Sequence, residues 1–513
     1  MTMPVPRPSR PLLCASLVTA ILASAALASV YNVSTVPQLN SAVGNARSGD
    51  EVVIAPGTYQ MTQALQMSYP GVTIRGASGL FEDVILVGGG MNTRRYTSLD
   101  EGILVNTDNI SIRDLTLKDY YFNAIHIRGE NDADNCVISN VRTWDVGERH
   151  IKGSGGGSAS AVSDNILIEG VHMIQTTPRS GHPDTNDDYI GGIDCMGVRN
   201  WTIRDCVAQG IVGEADGGNA AIFLWQGVQG VTIERNTIIG CAKGIGLGNP
   251  SDPNTQIFTY PWHAKDIVIR NNFVLRGQWT TGNNIGLELC NTNGVQVYNN
   301  TFYSAYADYF RMISPYDDNS GGALTDLTIT NNIIRGHCWD EHNTGDWSDA
   351  AVEAMGNIVD PTGSVVTPAW FVDAANGDFH LTAAAVAAID TATPLALVTE
   401  DIDTGFRPAS PDMGADEFEI PFPGDANQDG TVGIADLVAL ADHYGIVSMA
   451  TWTQGDFNRD GAVGIADLAA LADHYGDNPG GGSVPEPATI ALLALGGVLS
   501  GGRRRRRRRR KKS

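Results

Sequence analysis

The sequence predicts an all-β protein, a solenoid of the right-handed parallel β-helix kind, followed by a small α-helical calcium module. Three observations predict it. A short alternating apolar–polar unit recurs eight times along the middle of the 513-residue chain. Asparagines fall in one column of that repeat, and two near-copies of an aspartate-rich loop follow it.

At the N-terminus, Arg7 and Arg10 precede an apolar run from Leu12 to Ala28 that closes on Ala26-Leu27-Ala28. A charged start, a short apolar stretch and small residues where a signal peptidase reads make residues 1–28 a secretory signal peptide, cut after Ala28. Cys14 follows Leu13, where a lipoprotein signal needs a small residue, so a lipid anchor there is excluded. Val36–Ala46 then has helical spacing and leads into the strand-like Asp50–Tyr59. A bare coil is an exposed sheet edge, and this helix is expected to cover the first one.

The repeat units start at Asp108, Asn135, Asp164, Asn200, Gly230, Asp266, Gly294 and Asp326. Each alternates apolar and polar residues over a few positions and then turns, which is a strand signal. A strand unit recurring at an irregular period means a solenoid. Each coil adds about 4.8 Å, so the rod is on the order of 40–50 Å long. Asn236, Asn272, Asn300 and Asn332 each lie three residues after the second apolar residue of their strand. Stacked in successive coils, their amides are expected to form a structural ladder. Leu115, Val141, Val171 and Cys206 occupy that place in earlier coils.

Residues 29–418 resemble the pectate-lyase-like β-helices. The likeness rests on the N-terminal helix and first coil, the repeats, and the segments PAWFVDAANGDFHL (Pro368–Leu381) and DMGADEF (Asp412–Phe418). Those two segments resemble the closing part of bacterial β-helix proteins that carry interchangeable C-terminal anchors, which implies a cover for the second rod end. Six cysteines remain after signal removal, too few for a disulfide scaffold in this length. They are expected as buried thiols, with one or two disulfides as the alternative.

After the linker 419–424 come DANQDGTVGIADLVALADHYG (Asp425–Gly445) and DFNRDGAVGIADLAALADHYG (Asp456–Gly476). Each fits a calcium loop, with oxygen side chains at positions 1, 3 and 5. These are Asp425, Asn427 and Asp429 in the first loop and Asp456, Asn458 and Asp460 in the second. Gly430 and Gly461 make the sharp turn, Thr431 and Ala462 offer carbonyls, and Asp436 and Asp467 close the loops. Residues 425–476 are thus expected to bind two Ca2+ ions. Aspartate at the closing position, duplicate loops and no incoming helix resemble a type I dockerin, which implies a cohesin-bearing partner. Such modules carry hydroxyl residues just before the closing aspartate; here stand Ile434-Ala435 and Ile465-Ala466. A calcium-stiffened spacer is the alternative.

A second linker (477–483) leads to residues 484–513. Val484–Pro487 reads VPEP, Ala488–Ser500 is apolar, and Arg503–Lys512 is wholly basic. A basic run directly after an apolar segment is a cytoplasmic stop. At 13 residues the apolar segment is shorter than the roughly 20 of a stable span, so the membrane is engaged only transiently. The pattern resembles the PEP-CTERM sorting signal, which implies cleavage by an exosortase near Pro485–Pro487 and export through the inner membrane of a Gram-negative-type bacterium to the cell surface. A disordered basic tail is the alternative. The chain has 34 Lys and Arg against 57 Asp and Glu; without the ten tail residues, 24 oppose 57, a net charge of −33. That excludes nucleic acid as a partner.

A second strand column runs through the coils. Aligning Ile127, Ile151, Cys195, Leu224, Leu247, Leu287 and Met312 inward sets two outward columns. One reads His126, His150, Asp194, Phe223, Gly246, Gly286, Arg311; the other reads Arg128, Lys152, Met196, Trp225, Gly248, Glu288, Ile313. Acid–base groups beside aromatic platforms suit an extended extracellular polysaccharide. Lys152 is the candidate base, with His126, His150 and Arg128 around it and Asp194 orienting. Trp225, Phe223, Glu288 and Arg311 are candidate sugar contacts. The loops Gly153–Ser160 and Thr176–Tyr189 would wall the groove. Fold and face resemble polysaccharide lyases of the pectate-lyase and chondroitinase-B/alginate-lyase kind, which take a proton α to a uronate carboxyl with a Lys or Arg base, helped by calcium or a second basic residue. A third Ca2+ in the groove would follow. A glycosidase needs two carboxyls at set distances, and Asp194 and Glu288 are several coils apart. The alternative from another class is a non-catalytic surface or matrix protein that binds polysaccharide.

Overall fold

The computed structural model describes residues 28–477 apart from 96, 156–160, 182–187, 215–216, 250–260, 277–284, 307–310, 317–323, 340–344, 419–421, 428–430, 449 and 459–460. The signal segment up to residue 27 and the sorting tail lie outside these residues. So do Asp429, Gly430, Asp460 and the tips of both groove-wall loops. Residues 1–418 and 419–513 form two compact units.

In the first unit every strand of the coils pairs in parallel with the next coil. Three ladders result, which is the cross-section of a parallel β-helix. One runs through Ser111, Val137, Leu167, Thr202, Thr232, Val268, Gln296 and Thr328, the register read from the repeat. A second follows it after a sharp turn and includes His172–Ile174, Val207–Gln209, Thr237–Ile239 and Phe273–Arg276. The third is a separate nine-stranded sheet.

The turn between the first two ladders explains the asparagine column. Its first residue takes the left-handed conformation, as at Asn271, Asn299 and Asn331, which Asn tolerates better than most side chains. Its second residue points inward. Asn236 Nδ2 donates to Asn272 Oδ1 at 2.9 Å, Asn272 to Asn300 at 2.8 Å, and Asn300 to Asn332 at 2.9 Å. Asn332 in turn donates to Asn357 at 2.8 Å, a fifth rung in a coil outside the repeat alignment. Each Oδ1 also accepts the backbone N–H of the previous rung, so the buried amides are satisfied on both sides.

The helix Val36–Asn45 buries Leu39, Ala42 and Val43 against the first coils, as expected of a cap, and Thr35 accepts from the Gln38 N–H at its N-terminus. The other end differs from expectation. The short helix Asp349–Ala354 sends the fully buried Val352 into the main core there. The segment after Val366 instead packs along the side of the rod. Its Trp370, Phe371 and Phe379 cover outward residues Phe273, Leu275, Tyr303 and Ile333 of the second ladder, because those strands are apolar on both faces. The left-handed asparagines hold it: Asn271 donates to the Glu400 carbonyl, Asn299 to that of Asp412 and Asn331 to that of Thr393. All six cysteines from Cys136 to Cys338 are buried thiols outside any disulfide.

In the second unit the two loops lead into helices Ile434–His443 and Ile465–His474. The halves clasp reciprocally. Val432 exchanges backbone hydrogen bonds with Gly476 and Asp477, and Val463 with Gly445 and Ile446. Leu440, Leu471, Phe457, Val432 and Val463 form their shared core. Among the described residues no helix is long and apolar enough to cross a membrane.

Candidate functional site

The register of the nine-stranded sheet sets the site. Ile125, Ile151, Ile193, Ile222, Ile245, Leu287 and Ile313 are direct partners through the coils. Against this register the sequence alignment stands two residues off at Ile127, Cys195, Leu224 and Leu247 and one off at Met312, with Ile151 and Leu287 in place. Two apolar residues spaced by two, such as Ile125 and Ile127, present the same face, so periodicity alone cannot choose between them. The true outward row reads His126, Lys152, Asp194, Phe223, Gly246, Glu288, Ser314. In the row beside it Arg128 pairs with Ser154, and Met196 with Trp225.

His150 does not belong to this face. It is fully buried, with Nδ1 2.8 Å from Thr143 Oγ1 inside the core, and burial lowers its pKa to about 4. The cause is local. Where the chain rounds the corner into the strand, two successive residues, His150 and Ile151, turn inward, while Arg149 and Lys152 on either side face out. Strict alternation fails there. Arg311 is likewise out of the row: it precedes the strand Ile313–Tyr316, and its guanidinium lies over the Tyr316 and Trp339 rings at 5.9 and 5.5 Å.

Asp194 is the hub. It is 1 % exposed. One carboxylate oxygen accepts from Arg149 Nε; the other accepts from Trp225 Nε1 at 3.1 Å and lies 3.3 Å from Lys152 Nζ. Burial alone would raise its pKa; the Lys152 and Arg149 charges and the Arg149 and Trp225 hydrogen bonds bring it down to about 2. Arg149, 2 % exposed, lies 4.1 Å over the Tyr189 ring. The sequence reading missed it because it stands at the strand entry. Trp225 stacks on Phe223 with centroids 5.5 Å apart and planes at 23°. Gly246, the next residue in the row, leaves room for that ring: a Cβ there would lie 3.0 Å from Phe223 Cδ2. Three coils from Asp194, Glu288 is held by Lys243 at 2.8 and 3.0 Å. That separation is about 14 Å, beyond the spacing of a glycosidase pair.

On the other side of Lys152 lies a second network. His126 Nδ1 is 2.8 Å from Glu101 Oε1, and Nε2 is 3.0 Å from Ser154 Oγ. Asn123 donates to the same Glu101 oxygen at 2.7 Å, and Arg128 Nη2 is 3.9 Å from the other. Ser154 also donates to Glu130 Oε2 at 2.5 Å. Glu101 and Ser154 escaped the sequence reading, since they come from different coils and Ser154 opens a glycine-serine stretch taken for a loop.

A groove calcium does not fit. The carboxylates of Asp194 and Glu288 are engaged by cations. The loops of the second unit do fit one. Asp425, Asp436, Asp456 and Asp467 are buried carboxylates, and the one basic side chain other than histidine between residues 425 and 477 is Arg459. Asp436 accepts the N–H groups of Ala426, Asn427 and Gly433, and Asp467 those of Phe457, Asn458 and Gly464, which fixes each closing carboxylate at the base of its loop.

Residues 483–508 match the PEP-CTERM protein-sorting motif. The protein is thus exported and sorted to the cell surface in Gram-negative bacteria, and the motif implies processing by an exosortase. Among solved structures, pectate lyase Pel9A aligns over 76 % of this chain and 96 % of its own, at 13 % identity and TM-score 0.44. An alginate lyase from Paenibacillus sp. str. FPU-7 covers 58 % and 99 %, at 16 % identity and 0.35. PfbA, a surface adhesin of Streptococcus pneumoniae, covers 58 % and 74 %, at 15 % and 0.39. Comparison with curated protein sequences returns no match.

Proposed function

We propose that this protein binds extracellular polysaccharide along the outward face of the nine-stranded sheet and is held near the cell surface while doing so. One observation carries the reading: the stacked Phe223–Trp225 pair adjoins the Lys152–Asp194–Arg149 cluster on a single sheet face. Aromatic faces take the apolar side of a sugar ring, and the charged neighbours supply directional hydrogen bonds. The lyase alternative is weaker. His150 is in the core, and Lys152 Nζ lies 3.3 Å from the Asp194 anion, whereas a lysine base needs an apolar pocket or a neighbouring cation. Affinity electrophoresis of the mature protein through gels holding a uronate or a neutral polysaccharide tests this. Retardation is expected, reduced about tenfold in Trp225→Ala, a loss of about 1.4 kcal/mol. No new absorbance from unsaturated uronate is expected. No retardation on any polysaccharide, or none lost in Trp225→Ala, would contradict the reading.

The second unit we read as a dockerin-like module. Each loop would hold one Ca2+ through Asp425, Asn427, Asp429, Thr431 and Asp436, or Asp456, Asn458, Asp460, Ala462 and Asp467. The ion would balance their buried charge. Ile434 and Ile465 stand exposed at equivalent places, 64 % and 67 %, as an apolar pair for a cohesin-like protein. Titration calorimetry on the full chain should show two calcium ions per chain, falling to one in Asp467→Asn. Unchanged stoichiometry in that variant would refute the assignment.

A further inference from the structure

The network beside Lys152 is not needed for the sugar contacts proposed above, yet its geometry is that of a nucleophile relay. Strands Asn123–Arg128 and Arg149–Ser154 are direct neighbours. His126 faces Lys152 and Arg128 faces Ser154, so four outward side chains form a square with His126 and Ser154 on one diagonal. Along that diagonal His126 Nε2 lies 3.0 Å from Ser154 Oγ. Its other nitrogen lies 2.8 Å from Glu101, which is itself fixed by Asn123. A hydroxyl within reach of an imidazole that a carboxylate orients is the arrangement of acyl-transfer nucleophiles. Arg128, the partner of Ser154 across the strands, has a buried Nε that makes no hydrogen bond and lies 3.8 Å from Glu130 Oε1, an ion pair that ends when Glu130 leaves. A guanidinium placed there can receive negative charge that develops on a carbonyl oxygen.

We propose that Ser154, His126 and Glu101 hydrolyse acyl esters, of the O-acetyl class, carried by the polysaccharide bound on this face. The proposal rests on the polysaccharide reading above for its substrate, not for its chemistry. His126 Nε2 takes the Ser154 proton as Oγ bonds to the acyl carbon, and the carbonyl oxygen turns its charge toward Arg128. The ester C–O bond then breaks, and the departing sugar oxygen takes the proton from His126. Water, deprotonated by His126, attacks the acyl-serine; the Ser154–acyl bond breaks, acetic acid leaves and the hydroxyl is restored. Glu101 is a positioning residue that holds the imidazole tautomer. Glu130 opposes the reaction, because at rest it accepts the Ser154 hydroxyl at 2.5 Å. It stands on the single turn Gly129–Asn131 and is 41 % exposed, so it can leave without disturbing a strand.

The test uses the mature chain with a fluorophosphonate probe, p-nitrophenyl acetate, and O-acetylated xylan and an O-acetylated uronan. The probe should add to Ser154, seen by peptide mass. Labelling should vanish in Ser154→Ala and slow about 100-fold or more in His126→Ala. Glu101→Gln should lower kcat for p-nitrophenyl acetate with KM unchanged and shift its pH profile. Glu130→Ala should preserve or raise the rate. Ser154→Ala should keep the wild-type circular dichroism spectrum and unfold in a single transition as the wild type does, which separates lost chemistry from lost folding. Ester turnover without polysaccharide retention would leave the relay standing and sink only the substrate. No labelling of Ser154 with no acetate released, or a slower Glu130→Ala, would overturn the relay and leave a network that merely joins coils.

Discussion

At the scale of single residues the site is decided by Asp194. Its carboxylate neutralises Arg149, which has almost no contact with water. Asp194→Asn keeps the shape but leaves that guanidinium buried and unpaired, a loss of about 3–5 kcal/mol. Denaturant unfolding of the variant measures it. The pH dependence has a definite sign. The folded pKa, about 2, lies below the ordinary aspartate value of 3.8, so the stabilisation is complete above about pH 4 and disappears as pH falls through about 2. A melting temperature flat from pH 7 to 5 that drops below pH 4, and drops less in Asp194→Asn, is the expected result. His150 shows why part of the site was illegible. Its neighbours Arg149 and Lys152 reach the same carboxylate, and nothing in the string Glu148–Gly153 says that the middle two residues turn inward. Ser154 and Glu101 were hidden for another reason: a relay assembled across three coils has no local spacing to recognise.

At the scale of elements, the first ladder was legible to the residue and the nine-stranded sheet was not. The asparagine column pinned one register at a fixed turn, whereas the sheet strands offered equivalent isoleucines two apart. The ladder should also be the stiffest part of the rod. Asn300→Ala removes a buried amide that serves both neighbours, leaving the Asn272 backbone N–H without its acceptor and the Ile269 carbonyl and Asn332 Oδ1 without its donor, while the Asn272 side chain keeps the Ile233 and Arg270 carbonyls. A destabilisation of about 2–4 kcal/mol is expected from the lost partners, read as a lower denaturation midpoint. Asn140→Ala, in a coil whose inward place is taken by Val141, should cost much less. The segment after Val366 was recognised as a closing element, but its place along the rod was not. The apolar outward residues Phe273, Leu275 and Tyr303 could have indicated it, since a strand apolar on both faces needs a second layer.

At the scale of the whole molecule, export, a strongly acidic chain and buried cysteine thiols fit together. Burial pushes the Cys136 and Cys206 thiols up to about 12, so they are unreactive in an oxidising setting. A thiol reagent should modify none of the six in the native mature protein and all of them after denaturation. The net charge of −33 without the tail repels polyanions at a distance. A uronate chain would therefore be captured by short-range contacts on one face, with little dependence on charge elsewhere. Hydrogen–deuterium exchange with and without a retained polysaccharide tests that directly. Slower exchange is expected in the strands Asn123–Arg128, Arg149–Ser154, Gly191–Met196 and Ala220–Trp225, with the other two ladders and the second unit unchanged. Protection confined to those other ladders, or to the second unit, would contradict the assignment of the nine-stranded sheet as the polysaccharide surface.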